Sequence, residues 1–512
     1  MTPETTKQQR RDGTGPERAS ARWALVFGLI AAAMFSLGSL DFCLDDAWIH
    51  LSYAKSLRLG EGPSYNPHDF ELGFSSPLWM LLLSFTPIQA SPLLWTKLLG
   101  ALCHAGTALI ASLFVIRLGA ERAGLDDPKP LKSMGLLAGV LVAFQPDLVQ
   151  GASSGMEVNL AAMLCAAASY AVLLRATPVA FLLGFAAALA RPESVAFLGA
   201  FGVWSAASQR TPRPLAPAIG GTIAVGLWSL YCWTSFGVAW PNTKYAKAAT
   251  LDLSGLSYVI ETVLPRQPWL IALTGLYLIG RVLFKDQRRR TSPFNGALLA
   301  GWMVAILFVA VSRPLHVGVD FFEWRYFAPF AWIPYVIICV SVGDSRVRGL
   351  FALMAPICLA TVILLATTHT RQRRQERNVA NLHTTPSQWV ARHLPARSTI
   401  AVEGAGALRF HTPRTMQIVD TLGLNDHEII HAASDAARVC IIAARAPDFF
   451  VLPDPVVRNL ARAFQFEEVK AFVEPDFAQV DRPYPLTVRV LRSHGLNDTW
   501  RTRCDDGTTP TR

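Results

Sequence analysis

The chain has 512 residues, of which 52% are hydrophobic and only 16% are charged, and its formal net charge is +10. Soluble proteins carry about 25% charged residues, so this composition excludes an ordinary soluble chain and indicates a polytopic membrane protein. The excess of Lys and Arg is typical of cytoplasmic loops that face anionic lipid, and we do not predict a nucleic-acid partner.

The chain begins with a polar segment that is followed by a series of apolar stretches. Residues 1–22 are basic and rich in turn formers, which predicts a disordered cytoplasmic tail. The apolar run after them has no clear small-residue cleavage site, so we interpret it as a retained first span. A span needs about 20 apolar residues, or fewer inside a bundle. Eleven spans are predicted: 23–40, 95–117, 133–149, 157–174, 178–190, 194–207, 215–235, 268–284, 293–312, 326–342 and 350–368.

The distribution of basic residues predicts the orientation of these spans. With the N-terminus in the cytoplasm, alternate loops carry clusters such as Arg288 to Arg290 and face inward. The predicted location is the cell's inner (plasma) membrane. Eleven spans then place the C-terminus on its extracytoplasmic side. The polar first loop, residues 41–94, also lies outside, and its apolar stretch 75–88 is predicted as an interfacial or re-entrant helix. The predicted membrane domain covers residues 23–368.

Residues 369–512 have the pattern of a small extracytoplasmic α/β domain. Helix-like segments separate four β-like runs, which are 398–403, 415–420, 438–444 and 448–453. The stretch "GAGALR" (404–409) lacks the third glycine of a dinucleotide-binding fingerprint, so it is predicted to be a tight turn. Cys440 and Cys504 fall in this domain, and the sequence leaves open whether they form a disulfide.

Chemistry on the outer face has no access to ATP, so a transferase there needs a donor that is already activated, such as a lipid phosphate ester. A carboxylate must then deprotonate the acceptor hydroxyl, and cations must stabilise the departing phosphate. Asp45 and Asp46 supply carboxylates at a helix start, where neighbouring side chains point about 100° apart. We predict Asp45 as the general base and Asp46 as a positioning residue. Two solvated loop acids, one of them a helix cap, are the alternative.

Candidate phosphate contacts are the cations in the outer stretches "PNTKYAK" and "DFFEWRYF". They are Lys244, Lys247 and Arg325. Snorkelling to the membrane interface is an alternative explanation for the two lysines. Asp320 is predicted near Arg325, as its partner or as a further substrate contact.

A second group of candidates is predicted to be drawn into the bundle. Arg191 and Glu193 lie between two very short spans, where ionisable groups are costly and often functional. A structural ion pair between them is the competing interpretation. The remaining predicted substrate contacts are Asn242, Tyr245, His50 and Glu157.

Several stretches, taken in order, resemble the GT-C superfamily of membrane glycosyltransferases, and most closely the mycobacterial terminal β-(1→2) arabinofuranosyltransferase family and its bacterial relatives. They are "DDAWIHLSYAKSLRLGEGPSYNP", "ELGFSSPLWMLLL", "SGME", "RPE", "FGVAWPNTKYAK", "GVDFFEWRYFAP", "STIAVEGAGALRF" and "IVDTLGLND". The resemblance implies an acidic motif at Asp45-Asp46, a polyprenyl-phosphate donor and inversion at the anomeric carbon. For this branch it implies arabinofuranose from decaprenyl-phosphoryl arabinofuranose. The implied acceptor is cell-wall arabinan, pilin or another cell-surface glycan or glycoprotein.

Other functions stay open at this point. A GT-C enzyme that transfers a hexose such as mannose has the same motifs. A flippase for lipid-linked sugars would need polar groups at mid-bilayer, and a non-catalytic scaffold would leave the first loop unexplained. We predict a monomer without a cofactor, although Asp45 and Asp46 leave a water-mediated Mg or Mn ion open.

Overall fold

The structure is a computed structural model that describes residues 14–37, 40, 42–87, 91–122, 129–246, 254–263, 293–312, 323–343, 354–477 and 484–505. The chain forms two compact units. Unit 1 comprises Met1–Leu40, Thr96–Leu227 and Thr250–Arg371. Unit 2 comprises Asp41–Trp95, Trp228–Ala249 and Gln372–Arg512. Lys247 and Asp320, two of the predicted site residues, lie outside the described residues.

The apolar part of the chain is helical. Its helices are Thr14–Leu37, Pro92–Arg122, Lys129–Ala143, Pro146–Ser153, Val158–Leu173, Thr177–Ala190, Ser194–Gln209, Ala216–Phe236, Ser254–Tyr258, Pro293–Ser312, Trp324–Phe327, Ile333–Gly343 and Met354–Val379. Short 3₁₀ segments at Arg213–Leu215 and Ala328–Phe330 and a π-helical segment at Val259–Val263 adjoin them. Ten of the eleven predicted stretches lie on these helices, and the eighth, 268–284, lies outside the described residues.

The number of full-length spans is smaller than predicted within the described residues. Five helices are long and apolar enough to cross a membrane, and the bent pair Ser133–Ala143 and Pro146–Ser153 makes a sixth if it counts as one span. The break between those two helices, which meet at 51°, follows from Pro146, which has no backbone N–H to donate. Val158–Leu173 and Thr177–Ala190 have only 16 and 14 residues. The chain is therefore a polytopic α-helical membrane protein, but the count of eleven is not confirmed.

Unit 2 contains a five-stranded sheet and a two-stranded ribbon. The ribbon is β1 (Ser64–Asn66) with β2 (Asp69–Phe70), and the sheet has the order β4-β3-β5-β7-β6. Its strands are β3 (Thr399–Val402), β4 (Gln417–Asp420), β5 (Phe449–Pro453), β6 (Phe464–Phe477) and β7 (Tyr484–Leu496). Strand β3 pairs in parallel with β4 and β5, while β7 is antiparallel to both β5 and β6.

The two faces of this sheet bury different segments of unit 2, because side chains alternate along a strand. Ile400 and Val402 of β3 pack with Ile49 of the first loop. Ala401 packs on the other face with Ile441. The remaining helices of unit 2 are Asp45–Arg58, Pro77–Ser84, Asn242–Ala246, the π-helical Ala380–Thr384, Thr385–His393, Ala405–His411, His427–Ile430, Asp435–Ala444, Asp454–Leu460 and Asp498–Asp505.

Hydrogen bonds join the first loop to the C-terminal domain inside unit 2. The hydroxyl of Tyr65 donates to the carbonyl oxygen of Ala405 at 2.7 Å. The side chain of Asn66 donates to the carbonyl oxygen of Ile418 at 2.9 Å. These bonds satisfy buried polar groups that would otherwise be costly, and they explain why residues 41–95 and 372–512 form one compact unit.

Three of the four predicted β-runs are strands, and the fourth is a helix. The run 438–444 lies in the helix Asp435–Ala444, so its prediction as a strand is wrong. The side chain of Ser434 caps this helix by accepting a hydrogen bond from the N–H of Ala437, which favours a helix start at this point. The two longest strands, β6 and β7, were not predicted. Strand β6 is mostly exposed and contains Pro475, which is unfavourable inside a strand.

Cys440 and Cys504 form a disulfide that joins the helix Asp435–Ala444 to the helix Asp498–Asp505. Their separation of 64 residues closes a long loop. Cross-linking such a loop restricts the unfolded chain and stabilises the folded one by about 4 kcal/mol.

We expect the double variant Cys440→Ser, Cys504→Ser to lower the free energy of unfolding of the C-terminal domain by about 4 kcal/mol. This change is measured by unfolding the full chain with denaturant in detergent, with susceptibility of the C-terminal domain to limited proteolysis as the readout of unfolding. The same treatment of the wild type after reduction should give the same loss, and an unchanged midpoint after reduction would contradict the prediction.

Candidate active site

The helix Asp45–Arg58 places both predicted catalytic acids in its first turn. Leu44 is extended, and its carbonyl oxygen accepts hydrogen bonds from the N–H groups of Ala47 and Trp48 at 2.9 and 3.3 Å. Carboxylates are favourable at this end of a helix because its free N–H groups carry partial positive charge. The helix start therefore follows directly from the position of the two acids in the sequence.

The Asp45 carboxylate is held by three groups from the C-terminal domain. Its Oδ1 accepts a hydrogen bond from the N–H of Ala407 at 3.1 Å, and its Oδ2 accepts one from the N–H of Gly406 at 3.4 Å. Nδ1 of His383 lies 3.6 Å from Oδ1. These contacts fix the orientation of the carboxylate. Because the side chain is 13% exposed, part of it stays accessible.

The close approach of the helix Ala405–His411 to Asp45 depends on two glycines. Gly404 has φ +84°, a value that favours glycine, and it turns the chain from β3 into the helix. A Cβ at Gly406 would collide with the backbone oxygen of Asp45. The stretch "GAGALR" thus contains the predicted turn, and its second glycine lets the helix contact the first loop.

Asp46 and His50 are connected through the backbone of the same helix. Nδ1 of His50 lies 3.0 Å from the carbonyl oxygen of Asp46, so Nδ1 carries the proton and donates it. His50 is 4% exposed, and the neighbouring Trp48 is buried against Phe410 and His411. The side chain of His50 is therefore buried, whereas that of Asp45 lies at the start of the helix in contact with His383.

The segment 241–246 places three more predicted residues in unit 2. Asn242 is buried, and its backbone N–H donates to the carbonyl oxygen of Leu72 at 3.1 Å. Lys244 is exposed. The ring of Tyr245 lies edge-on to His431 with 4.5 Å between the ring centroids. Lys244 is thus a cation open to solvent on a short helix whose flanking residues are packed.

Two carboxylates that the sequence analysis missed lie at the ends of parallel strands. Burial raises the pKa of Glu403, which follows β3, to about 7, and the charge of Asp420 adds to this. Burial raises the pKa of Asp420, which ends β4, to about 6, although bonds from Asn425 and Leu422 oppose the shift and Asp45 adds to it. Glu403 and Asp420 are the last residues of the predicted β-runs 398–403 and 415–420, and carboxyl ends of parallel strands are common ligand sites.

Four predicted residues form a buried ionic cluster in unit 1. Nη1 of Arg191 lies 3.1 Å from Oε1 of Glu157, and its Nε lies 3.7 Å from Oε2 of Glu193. Nη1 of Arg191 also donates to the carbonyl oxygen of Arg325 at 3.1 Å. Arg191 and Arg325 both stack on Tyr326. Arg191 thus pairs with Glu193, as the structural interpretation predicted, and with Glu157 as well.

The motif "HEIIH" (427–431) has the spacing of two zinc ligands on one helix face, and the sequence analysis did not identify it. The helix His427–Ile430 is only four residues long, and Glu428 is paired with Arg445 at 2.9 Å. Across the described part of the chain, no three His, Cys, Asp or Glu residues form a group that could hold a metal ion. The motif therefore does not build a zinc-protease site among these residues.

The described fold is similar to that of ArnT from Cupriavidus metallidurans. Against ArnT bound to undecaprenyl phosphate the TM-score is 0.59 at 12% identity, over 96% of this chain and 99% of that chain. Against apo ArnT the TM-score is 0.58 at 12% identity, over 92% and 98%. Residues 368–501 match a domain of unknown function, DUF8728. No curated protein matches in sequence. The chain thus has the fold of ArnT, and the predicted fold class, a polytopic α-helical membrane protein with a C-terminal α/β domain, is confirmed.

Proposed function

We propose that the chain is a glycosyltransferase that moves a sugar from a polyprenyl phosphate to a cell-surface acceptor. The observation that carries this proposal is the likeness in fold, over 96% of the chain, to ArnT with undecaprenyl phosphate bound. A lipid phosphate ester carries its own activation, so it suits an enzyme that works where ATP is absent. A multi-pass helical fold supports the proposal, because an enzyme in the membrane has direct access to a lipid donor.

The proposed reaction is one displacement at the anomeric carbon. Asp45 takes the proton from the acceptor hydroxyl, whose oxygen forms the new bond to that carbon. The bond between the carbon and the phosphate oxygen breaks, and the polyprenyl phosphate leaves with the bonding electrons. Lys244, exposed in unit 2, stabilises the negative charge on the leaving phosphate. Attack opposite the leaving group inverts the configuration of the sugar.

We place Asp45, Lys244 and the C-terminal domain on the extracytoplasmic side of the inner membrane, with the N-terminus in the cytoplasm. Asp45 and Lys244 belong to the same compact unit as Cys440 and Cys504. The disulfide between these cysteines supports an oxidising compartment, since disulfides persist in the periplasm and outside cells.

The sugar and the acceptor are proposed from the sequence resemblance. Arabinofuranose from decaprenyl-phosphoryl arabinofuranose is the first candidate, and a hexose such as mannose is the second. The acceptor is a cell-surface glycan or glycoprotein, and the active form is a monomer. The reaction as proposed takes no cofactor, and comparison of transfer with EDTA and with added Mg or Mn tests that point.

Membrane vesicles that contain the protein and a labelled polyprenyl-phosphate sugar test the proposal. Label should appear in a covalent bond to the acceptor, and decaprenyl-phosphoryl arabinofuranose should be used faster than polyprenyl-phosphoryl mannose. Label that crosses the bilayer without a new glycosidic bond would support a flippase and overturn the proposal.

A further inference from the structure

Glu71, which was not among the predicted site residues, joins three separate stretches of unit 2. Its Oε2 accepts a hydrogen bond from Nδ2 of Asn242 at 3.0 Å. Its Oε1 accepts one from the backbone N–H of His427 at 3.0 Å. The carbonyl oxygen of the next residue, Leu72, accepts a hydrogen bond from the backbone N–H of Asn242. One carboxylate therefore connects the first loop, the segment that carries Lys244, and the C-terminal domain.

A second contact holds the other end of the same segment. Tyr245 packs edge-on against His431, and the rings of His431 and His427 lie 4.4 Å apart. The helix Asn242–Ala246 has only five residues. A helix this short is not stable by itself, so its position depends on these side-chain contacts. Lys244 lies between the two held ends.

The geometry indicates positioning and not proton transfer for Glu71. Both of its oxygens already accept hydrogen bonds, and the residue is only 9% exposed. A general base needs an oxygen that the acceptor hydroxyl can reach. The Asp45 carboxylate also accepts two hydrogen bonds, but its side chain is 13% exposed. A buried carboxylate that accepts two hydrogen bonds instead fixes its donors strongly, because bonds to a charged acceptor are about twice as strong as neutral ones.

We propose that Glu71 is a positioning residue that anchors Asn242 and thereby holds Lys244 where the phosphate of the lipid donor binds. The anchoring follows from contacts within unit 2, while the link to the donor phosphate rests on the proposed function. The ligand at Lys244 is accordingly a phosphate ester, and Glu71 sets the affinity for it without touching it.

The anchor should weaken in mild acid. Burial raises the pKa of Glu71 to about 7, Asp426 and Asp69 add to the shift, and the bonds from His427 and Asn242 oppose it. Tyr53 interacts electrostatically with Glu71, and the helix that donates to Glu71 carries His427 and Glu428, which in turn contact His431 and Arg445. A protonated carboxyl turns one acceptor oxygen into a donor. The KM for the donor should therefore rise as the pH falls through about 7.

Protonation of Glu71 has the opposite effect on stability. Its pKa in the folded chain lies above the ordinary value of 4.5. The folded chain therefore binds the proton of Glu71 more tightly than the unfolded chain does. The stability that this protonation contributes is lost as the pH rises through about 7. Replacing Glu71 with a neutral residue removes a charge that opposes folding at about pH 8. The loss of that charge alone should therefore not destabilise the fold.

Glu71→Gln is expected to raise the KM for the lipid-linked donor by about tenfold with a small change in kcat. Gln has one acceptor oxygen, and its NH2 group replaces the other oxygen, so one of the two donors, His427 N–H or Asn242 Nδ2, then meets another donor. The double variant Glu71→Gln, Asn242→Asp should restore most of the affinity, because the new amide can donate to the new carboxylate. Asp69→Asn, a nearby exposed acid outside the anchor, is the matched control at about pH 8, where Glu71 is mostly ionised with or without Asp69, and it should leave the KM at that pH unchanged.

A spin label on Ala246→Cys, which is exposed, gives a readout that does not depend on activity. Glu71→Gln should increase the mobility of the label, and the double variant should reverse the increase. Unchanged mobility overturns the anchor whatever the activity shows. Increased mobility with an unchanged donor KM in an active enzyme overturns the role of the anchor in donor binding. If the wild type transfers no sugar, the proposed function fails, and the label alone decides the anchor.

Discussion

Asp45→Asn is expected to lower the rate of sugar transfer by about 10²- to 10⁴-fold, the usual contribution of a general base. Asn has the same shape, and its carbonyl oxygen can still accept one of the bonds from Gly406 and Ala407, but it cannot take a proton. The loss should therefore appear in kcat, with the KM for the donor little changed. The measurement is transfer from a labelled lipid-linked sugar by purified protein in vesicles.

Asp46→Asn is the matched control for this prediction. It removes the neighbouring carboxylate, which points about 100° away round the helix and has no predicted role as base. We expect a smaller loss than for Asp45→Asn. Transfer at the normal rate by Asp45→Asn would exclude Asp45 as the base. Thermal unfolding of both variants separates a chemical loss from a folding defect, since Asp45 also joins the first loop to the C-terminal domain.

Arg191→Met is expected to destabilise the protein by about 3 to 5 kcal/mol, because it leaves carboxylates buried without their partner. Arg191 is 6% exposed and pairs with Glu157 and Glu193, which are equally buried. Adding Glu157→Gln to Arg191→Met should recover part of the loss, since it removes one of the unpaired charges. Unfolding of the chain in detergent, by heat or denaturant, measures both effects.

Arg175→Met, at an exposed position, is the control for the loss of an arginine and should leave stability within about 0.5 kcal/mol of the wild type. The result also decides between the two interpretations of Arg191 that the sequence leaves open. A stable Arg191→Met protein that no longer binds the donor would make Arg191 a phosphate contact. An unstable one that the second substitution rescues would make the cluster structural.

The sequence predicts those features that depend on local patterns. Apolar runs of sufficient length predict the helices, and two acids after the first run predict a charged helix start at Asp45. Strands β3, β4 and β5 are short runs rich in β-branched and aromatic residues, and three of the four predicted strands are correct. The fourth, 438–444, is helical because the cap at Ser434 and packing of Ile441 and Ile442 outweigh β-propensity.

The contacts that surround the candidate site could not be predicted in this way. Gly406 and Ala407 lie 361 and 362 residues from Asp45 in the chain, and no periodicity links them. The same holds for Glu71 and Asn242, 171 residues apart. Single-sequence patterns carry no information on which distant segments meet. The glycines of "GAGALR" were the available signal, because a glycine after a turn allows a close approach of backbones.

Asp45 and Lys244 are proposed to face one compartment outside the cytoplasm. Single cysteines at Phe70, which is exposed in the first loop, and at Lys244 test it with a membrane-impermeant thiol reagent on intact cells. Of the native cysteines, Cys440 and Cys504 are bonded, five others are buried, and Cys358 is half-buried and should be replaced by Ser. Both positions are expected to react without permeabilisation. A position that reacts only after the membrane is opened would contradict it.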